Sequence, residues 1–383
     1  GENVISAKLL RLALKLAIEA EFTQIILECY ELLLENYSLT AASDSFYKTQ
    51  KTLAKYRSLA RLEQEAADLY FISRLELNKS VSAKNKYLGK LNTVVQKLDE
   101  LWQKTHSANI FEFYYRLNLT QQELNGNFGE VLKLTASSEK FLQQGKINKK
   151  RFDDRYNKFI IVYAYLRVKD FEKGLATAAT YANSFNRSTN NWFAFMENYF
   201  LLAMHAGEYH KASKLYAEVL RNTFYKKISR NAQERWSLYG TYLYFVNPSD
   251  ELLKQSNYRK LINSVPEYSK DKQGFNVAIL ILRFMYYVRA QDTDALTYRI
   301  DSLKKYAGRH LTHQLSKRNQ IFFKLLTLLV QEDLSYPDTK KKGEPLVQRL
   351  ASTPVPGDAY AEIEIIPYEY LWKFILQMLK EEQ

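Results

Sequence analysis

At 383 residues the chain has room for two or three ordinary domains or one extended repeat array, and 46% hydrophobic residues with 14% aromatics exclude global disorder. Only 12 glycines and 7 prolines leave few tight turns, which argues against a sheet-rich fold, and a single cysteine excludes an internal disulfide or a Cys-rich zinc site. The net charge of +13 fits a nucleic acid, an anionic membrane surface, an acidic protein partner or solubility alone.

In chain order, "NVISAKLLRLALKLAIEAEF" carries Lys8, Arg11, Lys15 and Glu19 at helical spacing, so it reads as an amphipathic helix and not a signal peptide. Phe22, Ile25 and Cys29 follow at helical intervals, and Cys29 reads as a small buried hydrophobe. Residues 1–43 form the expected N-terminal hairpin. Residues 44–107 predict a long helical hairpin with Ser43 or Asp44 as N-cap. Its first helix carries one apolar stripe through Leu53, Tyr56, Leu59, Leu62, Ala66, Leu69 and Ile72; its second carries Leu88, Leu91, Val95, Leu98 and Trp102.

A repeat then sets in over residues 108–311. "HAGEYHKASKLYAEVL" places Gly207, Tyr209, Ala212 and Tyr216 at intervals of 2, 3 and 4, which suits a tight turn followed by a helix. Phe171 and Gly174 take the places of Tyr209 and Ala212 upstream by 38 residues, and Phe128 takes the aromatic place 43 residues before Phe171. Trp236, Tyr239, Gly240 and Leu243 lie on the first helix of a further pair, and Leu296 and Ile300 face inward after a turn near Asp292. A small residue early in the second helix lets two helices approach, and the aromatic after the turn fills the gap to the next hairpin. Each hairpin leaves one face open, so copies must stack. Residues 312–383 form a C-terminal helical cap: a Pro-rich, loop-rich passage with one short helix, then an amphipathic helix carrying Tyr368, Leu371, Trp372, Ile375 and Leu379.

These residues resemble the tetratricopeptide repeat (TPR). "GEYHKASKLY" is similar to the second half of that motif, and Trp236, Tyr239, Gly240 and Leu243 to the first half. The resemblance spans about residues 108–310, with a further copy at 3–37, and departs from the family in its longer period, against about 34 residues. It implies an all-α fold: a right-handed α-solenoid of stacked antiparallel helical hairpins, about sixteen helices, with atypical end units. It also implies a binding face on the first helices of the repeats. There the residues on offer are Tyr156, Tyr163 and Arg167, with Arg116, Thr120, Asn198, His205, Met285 and Arg289 on neighbouring copies. Family members that grip a C-terminal carboxylate use Lys and Asn at set positions; here those positions hold Arg116, Thr120 and Ile160, so that clamp is not expected.

No catalytic or nucleotide-binding motif occurs. His310 and His313 share a helix face, yet "AGRHLTHQLSKR" holds no carboxylate or cysteine to complete a metal site. Asp153 and Asp154 suit the start of a helix and have no catalytic group to pair with. The basic runs Lys149–Arg151, Lys226–Lys227 and Lys340–Lys342 fall near predicted helix ends, where cations complement the dipole. No stretch reaches about eighteen uninterrupted apolar residues, so no transmembrane helix is expected.

The expectation is a non-catalytic cytoplasmic scaffold without cofactor or metal, binding a peptide or partner protein on the inner surface of the array. A basic nucleic-acid-binding solenoid is the alternative. A third reading, an accessory or regulatory module of a larger protein, follows from the opening residue, which is Gly1 and not Met.

Overall fold

The structure is a computed structural model and describes residues 2–79, 81–249, 251, 275–310, 317–354 and 364–381. Among the described residues the fold is all-α, with sixteen α-helices and no strand. The chain divides into two compact units, 1–122 with 130–157, and 123–129 with 158–383.

The first unit is built from α1 (Glu2–Glu19), α2 (Thr23–Leu39), α3 (Ser43–Leu77), α4 (Val81–Thr105) and most of α5 (Ala108–Leu124) and α6 (Phe128–Gln143). α1 packs on α2, α2 on α3 and α3 on α4. Ala7, Leu14 and Ala17 of α1 meet Ile26, Cys29, Leu33 and Tyr37 of α2, so Cys29 is a buried hydrophobe. α1 is apolar on its other side too, and Ile5, Leu9, Leu12 and Leu16 stay exposed. The α3 stripe drifts. Leu53 and Ala66 are buried, but towards the C-terminus burial passes to Tyr70, Ser73 and Leu77 while Ile72 is exposed. Over 35 residues the 3.6-residue turn walks away from a fixed three-or-four spacing.

The second unit holds most of α7 (Asp154–Val168), then α8 (Phe171–Tyr181), α9 (Asn190–His205), α10 (Tyr209–Arg221), α11 (Arg230–Val246), α12 (Phe275–Arg289), α13 (Thr293–His310), α14 (Lys317–Gln331), α15 (Tyr336–Ser352) and α16 (Tyr368–Glu381). One core runs through it from Val162 to Leu379 and encloses Trp192, Trp236 and Trp372. α8, α9, α10 and α11 pack each on the next, as do α12 to α16, and α12 also rests on α16. The second helix expected to pair with α11 lies outside the described residues.

One turn recurs. The carbonyls of Ala17, Tyr37, Tyr165, Ala203 and Tyr287 accept the N–H five residues on, from Phe22, Ala42, Asp170, Glu208 and Asp292, at 2.9–3.2 Å. In each, the residue before that donor (Glu21, Ala41, Lys169, Gly207, Gln291) has φ between 48° and 75°, and a helix begins on the residue after it. This is the left-handed closure that satisfies the last carbonyls of a helix. A side chain at such a φ costs about 1–2 kcal/mol, and glycine does not. Scarce glycine therefore did not mean scarce turns. The same closure corrects the expected cap of α3: its N-cap is Ala42, which makes no side-chain bond, because the helix starts directly out of the turn at Ala41.

The tail also differs from expectation. α15 is 17 residues long, not short. Ser335 caps it, Pro337 sits in its first turn where no N–H is needed, and Pro345 is accommodated inside it.

Candidate functional site

The residues expected to bind a partner fall in several places. In the first unit, Arg116 on α5 reaches across to Tyr156 on α7, its guanidinium 4.6 Å from the ring centroid and its Nε 3.0 Å from Glu112 Oε1. Thr120, one turn on, donates to the Arg116 carbonyl at 2.9 Å. Phe111, Glu112, Arg116, Arg151, Asp153 and Tyr156 line a small cleft here, half-exposed and of mixed charge. Beneath it the buried Tyr115 hydroxyl donates to Asn157, whose Nδ2 donates to Glu139 at 3.1 Å; burial pushes the Tyr115 hydroxyl well up, so it stays a neutral donor. The cleft thus stands on a fixed floor.

In the second unit, Tyr163 and Arg167, one turn apart on α7, both lie against Phe128. The Tyr163 ring meets it edge-on at 5.7 Å and the Arg167 guanidinium lies 4.9 Å from its centroid. The Tyr163 hydroxyl donates to Glu123 Oε1 at 2.9 Å. Both side chains therefore hold the start of α6 while staying partly exposed. Phe128, Phe171 and Tyr209 are each the first residue of a helix, and Gly174, Ala212, Tyr216, Trp236, Tyr239, Gly240 and Leu243 are all buried. A Cβ on Gly174 would stand 2.7 Å from Leu202 Cδ2, which is the close approach that a small residue permits.

The other expected contact residues lie apart. Asn198 is buried on α9, and Met285, at 0% exposure, is core that no partner reaches without opening the unit. Arg289 stacks 5.0 Å from the Phe245 centroid and borders a cleft with Val288, Gln291, Met378, Leu379 and Glu381. His313 lies outside the described residues, as does the side chain of His310. Among the described residues no group of three or more His, Cys, Asp or Glu is placed to hold a metal ion, and no helix is long and apolar enough to cross a membrane.

His205 belongs to a polar cluster that the sequence did not reveal. Arg318, 1% exposed at the start of α14, donates from Nη2 to Glu364 at 3.0 Å and to Glu369 at 2.9 Å. Its Nε also donates to Glu364, and its Nη1 donates to the carbonyls of Leu350 and Thr353 at 2.8 and 2.9 Å. The Glu364 carbonyl faces His205 Nε2 at 2.6 Å, and a carbonyl only accepts, so the ring carries its proton on Nε2. Burial pushes the imidazole down to about 4; the Glu364 carbonyl opposes this, and Lys169 and Arg167 reinforce it. Burial raises the Glu369 carboxyl, but the Arg318 guanidinium outweighs it and the net shift is downward. Arg318 has spent its donor positions on protein acceptors, so this cluster is a joint with no capacity for a ligand. No local signal marked it, since Arg318 reads as one more cation near a helix start and its partners stand 46 and 51 residues away.

Compared with known proteins, the chain matches no family model, no curated protein and no solved structure.

Proposed function

We propose that this chain is a non-catalytic scaffold, a tetratricopeptide-like stack of helical hairpins that binds a peptide or partner protein through half-exposed aromatic and cationic side chains. The observation that carries the reading is the recurrent turn, which five times launches a helix out of the same left-handed closure. A chain that repeats one connection in this way supports a stack of equivalent units, and such stacks offer extended binding surfaces. The Arg116–Tyr156 pair adds two residue types enriched in binding hot spots, at a cleft with a rigid floor.

The test replaces Arg116 and Tyr156 together by Ala. Partner capture from host extract is expected to fall at least tenfold while the melting temperature stays within about 2 °C of the parent. Undiminished capture by a folded variant refutes this surface. The charge of +13 supports a second reading, a nucleic-acid-binding solenoid. Binding of random DNA or RNA with an affinity that falls steeply with salt would carry it, and no binding at low salt would end it.

A further inference from the structure

The α1–α2 hairpin of the first unit leaves an apolar face uncovered. Ala7, Leu14 and Ala17 turn one side of α1 to α2. Ile5, Leu9, Leu12 and Leu16, at intervals of 4, 3 and 4, form a second stripe on its far side, each 57–62% exposed. α2 does the same. Its Tyr30 packs on Tyr56 of α3 with ring centroids 5.7 Å apart, and away from that contact Ile25, Leu32 and Leu39, seven residues apart, are 45–70% exposed. Together these side chains bare roughly 700 Å², more than the largest patch of a typical monomer, about 300–600 Å², and close to the roughly 800 Å² that each partner of a standard interface buries.

The charges beside the stripes say what covers them. Lys8 and Lys15 edge the α1 stripe, and Glu28 and Glu35 stand between the apolar positions of the α2 stripe. All four are exposed and make no ion pair among the described residues. The lysines are seven residues apart and so are the glutamates, so two turns of helix separate the charges in both pairs and their registers coincide. A hairpin basic on one helix and acidic on the other is its own complement under a two-fold axis, because in an isologous contact each α1 meets the α2 of the other copy. An anionic membrane, by contrast, would meet Glu28 and Glu35 within the contact.

We propose that the free face of this hairpin is the interface of a homodimer, the α1 stripe of each copy laid on the α2 stripe of the other, with Lys8 and Lys15 facing Glu28 and Glu35 across the contact. The apolar stripes hold the copies together, since exposed ion pairs add little, and the charges select the partner and the register. This face lies outside the Arg116–Tyr156 cleft and stands whether or not that cleft binds a partner.

Sedimentation equilibrium of the full chain at micromolar concentration and physiological salt is expected to give twice the 45.0 kDa of one copy. Leu9→Glu with Leu12→Glu is expected to give a monomer that melts like the parent, since both positions are exposed. Lys8→Glu with Lys15→Glu, and separately Glu28→Lys with Glu35→Lys, place like charges across the contact, and each is expected to weaken the dimer about tenfold or more. Mixing those two variants is expected to restore it, because each then meets opposite charges in both halves of the two-fold. A monomeric parent, a leucine variant that still dimerises, or charge variants that do not recombine on mixing overturns the proposal. A monomeric parent that binds vesicles of phosphatidylcholine and phosphatidylserine overturns it in favour of a membrane surface. Should the leucine variant fail to fold, the mixing experiment decides alone.

Discussion

Gly240→Ala is the sharpest perturbation the packing offers. Gly240 is mid-helix in α11, where alanine on an open face would stabilise by about 1 kcal/mol through the unfolded chain's lost freedom. Here the new Cβ would lie 2.1 Å from the Tyr216 hydroxyl oxygen and 2.3 Å from its Cζ. Ordinary contact needs separations near 3.5 Å, so the phenol must retreat by about 1 Å. It has little room to do so. Tyr216 is buried among Phe200 and Trp236, its ring centroid 6.4 Å from each of theirs. Overpacking of this kind costs roughly 1–3 kcal/mol, and a shift this large belongs at or above the upper end. Net of the propensity gain, Gly240→Ala is expected to destabilise by about 2 kcal/mol or more. Urea denaturation followed by tryptophan fluorescence reads the second unit through Trp192, Trp236 and Trp372 and the first through Trp102, so single-tryptophan backgrounds separate the two. Gly89→Ala, in α4 with nothing within 4 Å of its Cβ, is the internal control and is expected to stabilise slightly. If both variants are equally stabilising, the close approach of α10 and α11 at Gly240 is wrong.

Arg318→Ala leaves Glu364 and Glu369 facing each other without their cation and is expected to cost about 3–5 kcal/mol in denaturant unfolding. An effect below about 1 kcal/mol would mean the cluster is open to water. His205 predicts a pH dependence: the unfolded chain takes up a proton near 6.5 that the folded chain refuses until about 4, so stability falls as pH drops through that window and is flat above it. Between pH 6.5 and 5 the loss is on the order of 1–2 kcal/mol, and His205→Gln is expected to flatten the slope of unfolding free energy over that range. An unaltered slope in that variant would place the titration elsewhere. Glu369, held low by Arg318, adds a loss of the same sign as pH falls below its ordinary range.

Helix content, the intervals around Gly207 and the placing of Phe128, Phe171 and Tyr209 at helix starts were legible in the sequence, because they depend on local backbone chemistry and 3.6-residue periodicity. Gly207 could be read as a turn since glycine marks a left-handed residue. The equivalent turns at Glu21, Ala41, Lys169 and Gln291 could not, since nothing in those side chains asks for positive φ; at Glu21, Ala41 and Gln291 the two flanking helices pack on each other across the turn. The apolar pattern likewise named Leu53 and Ala66 as core and overshot at Ile72, where helix phase and neighbours moved the buried face. For the candidate contacts the sequence supplied a stripe on α7. Only the tertiary structure assigned its members different work: Tyr156 to Arg116, Tyr163 and Arg167 to Phe128. The same holds for Arg318, in sequence one more cation on an apolar helix; only the fold sets Glu364 and Glu369 opposite it. Periodicity is a property of neighbours in the chain, whereas the pairing of a buried charge depends on residues tens of positions away that folding alone brings within 3 Å.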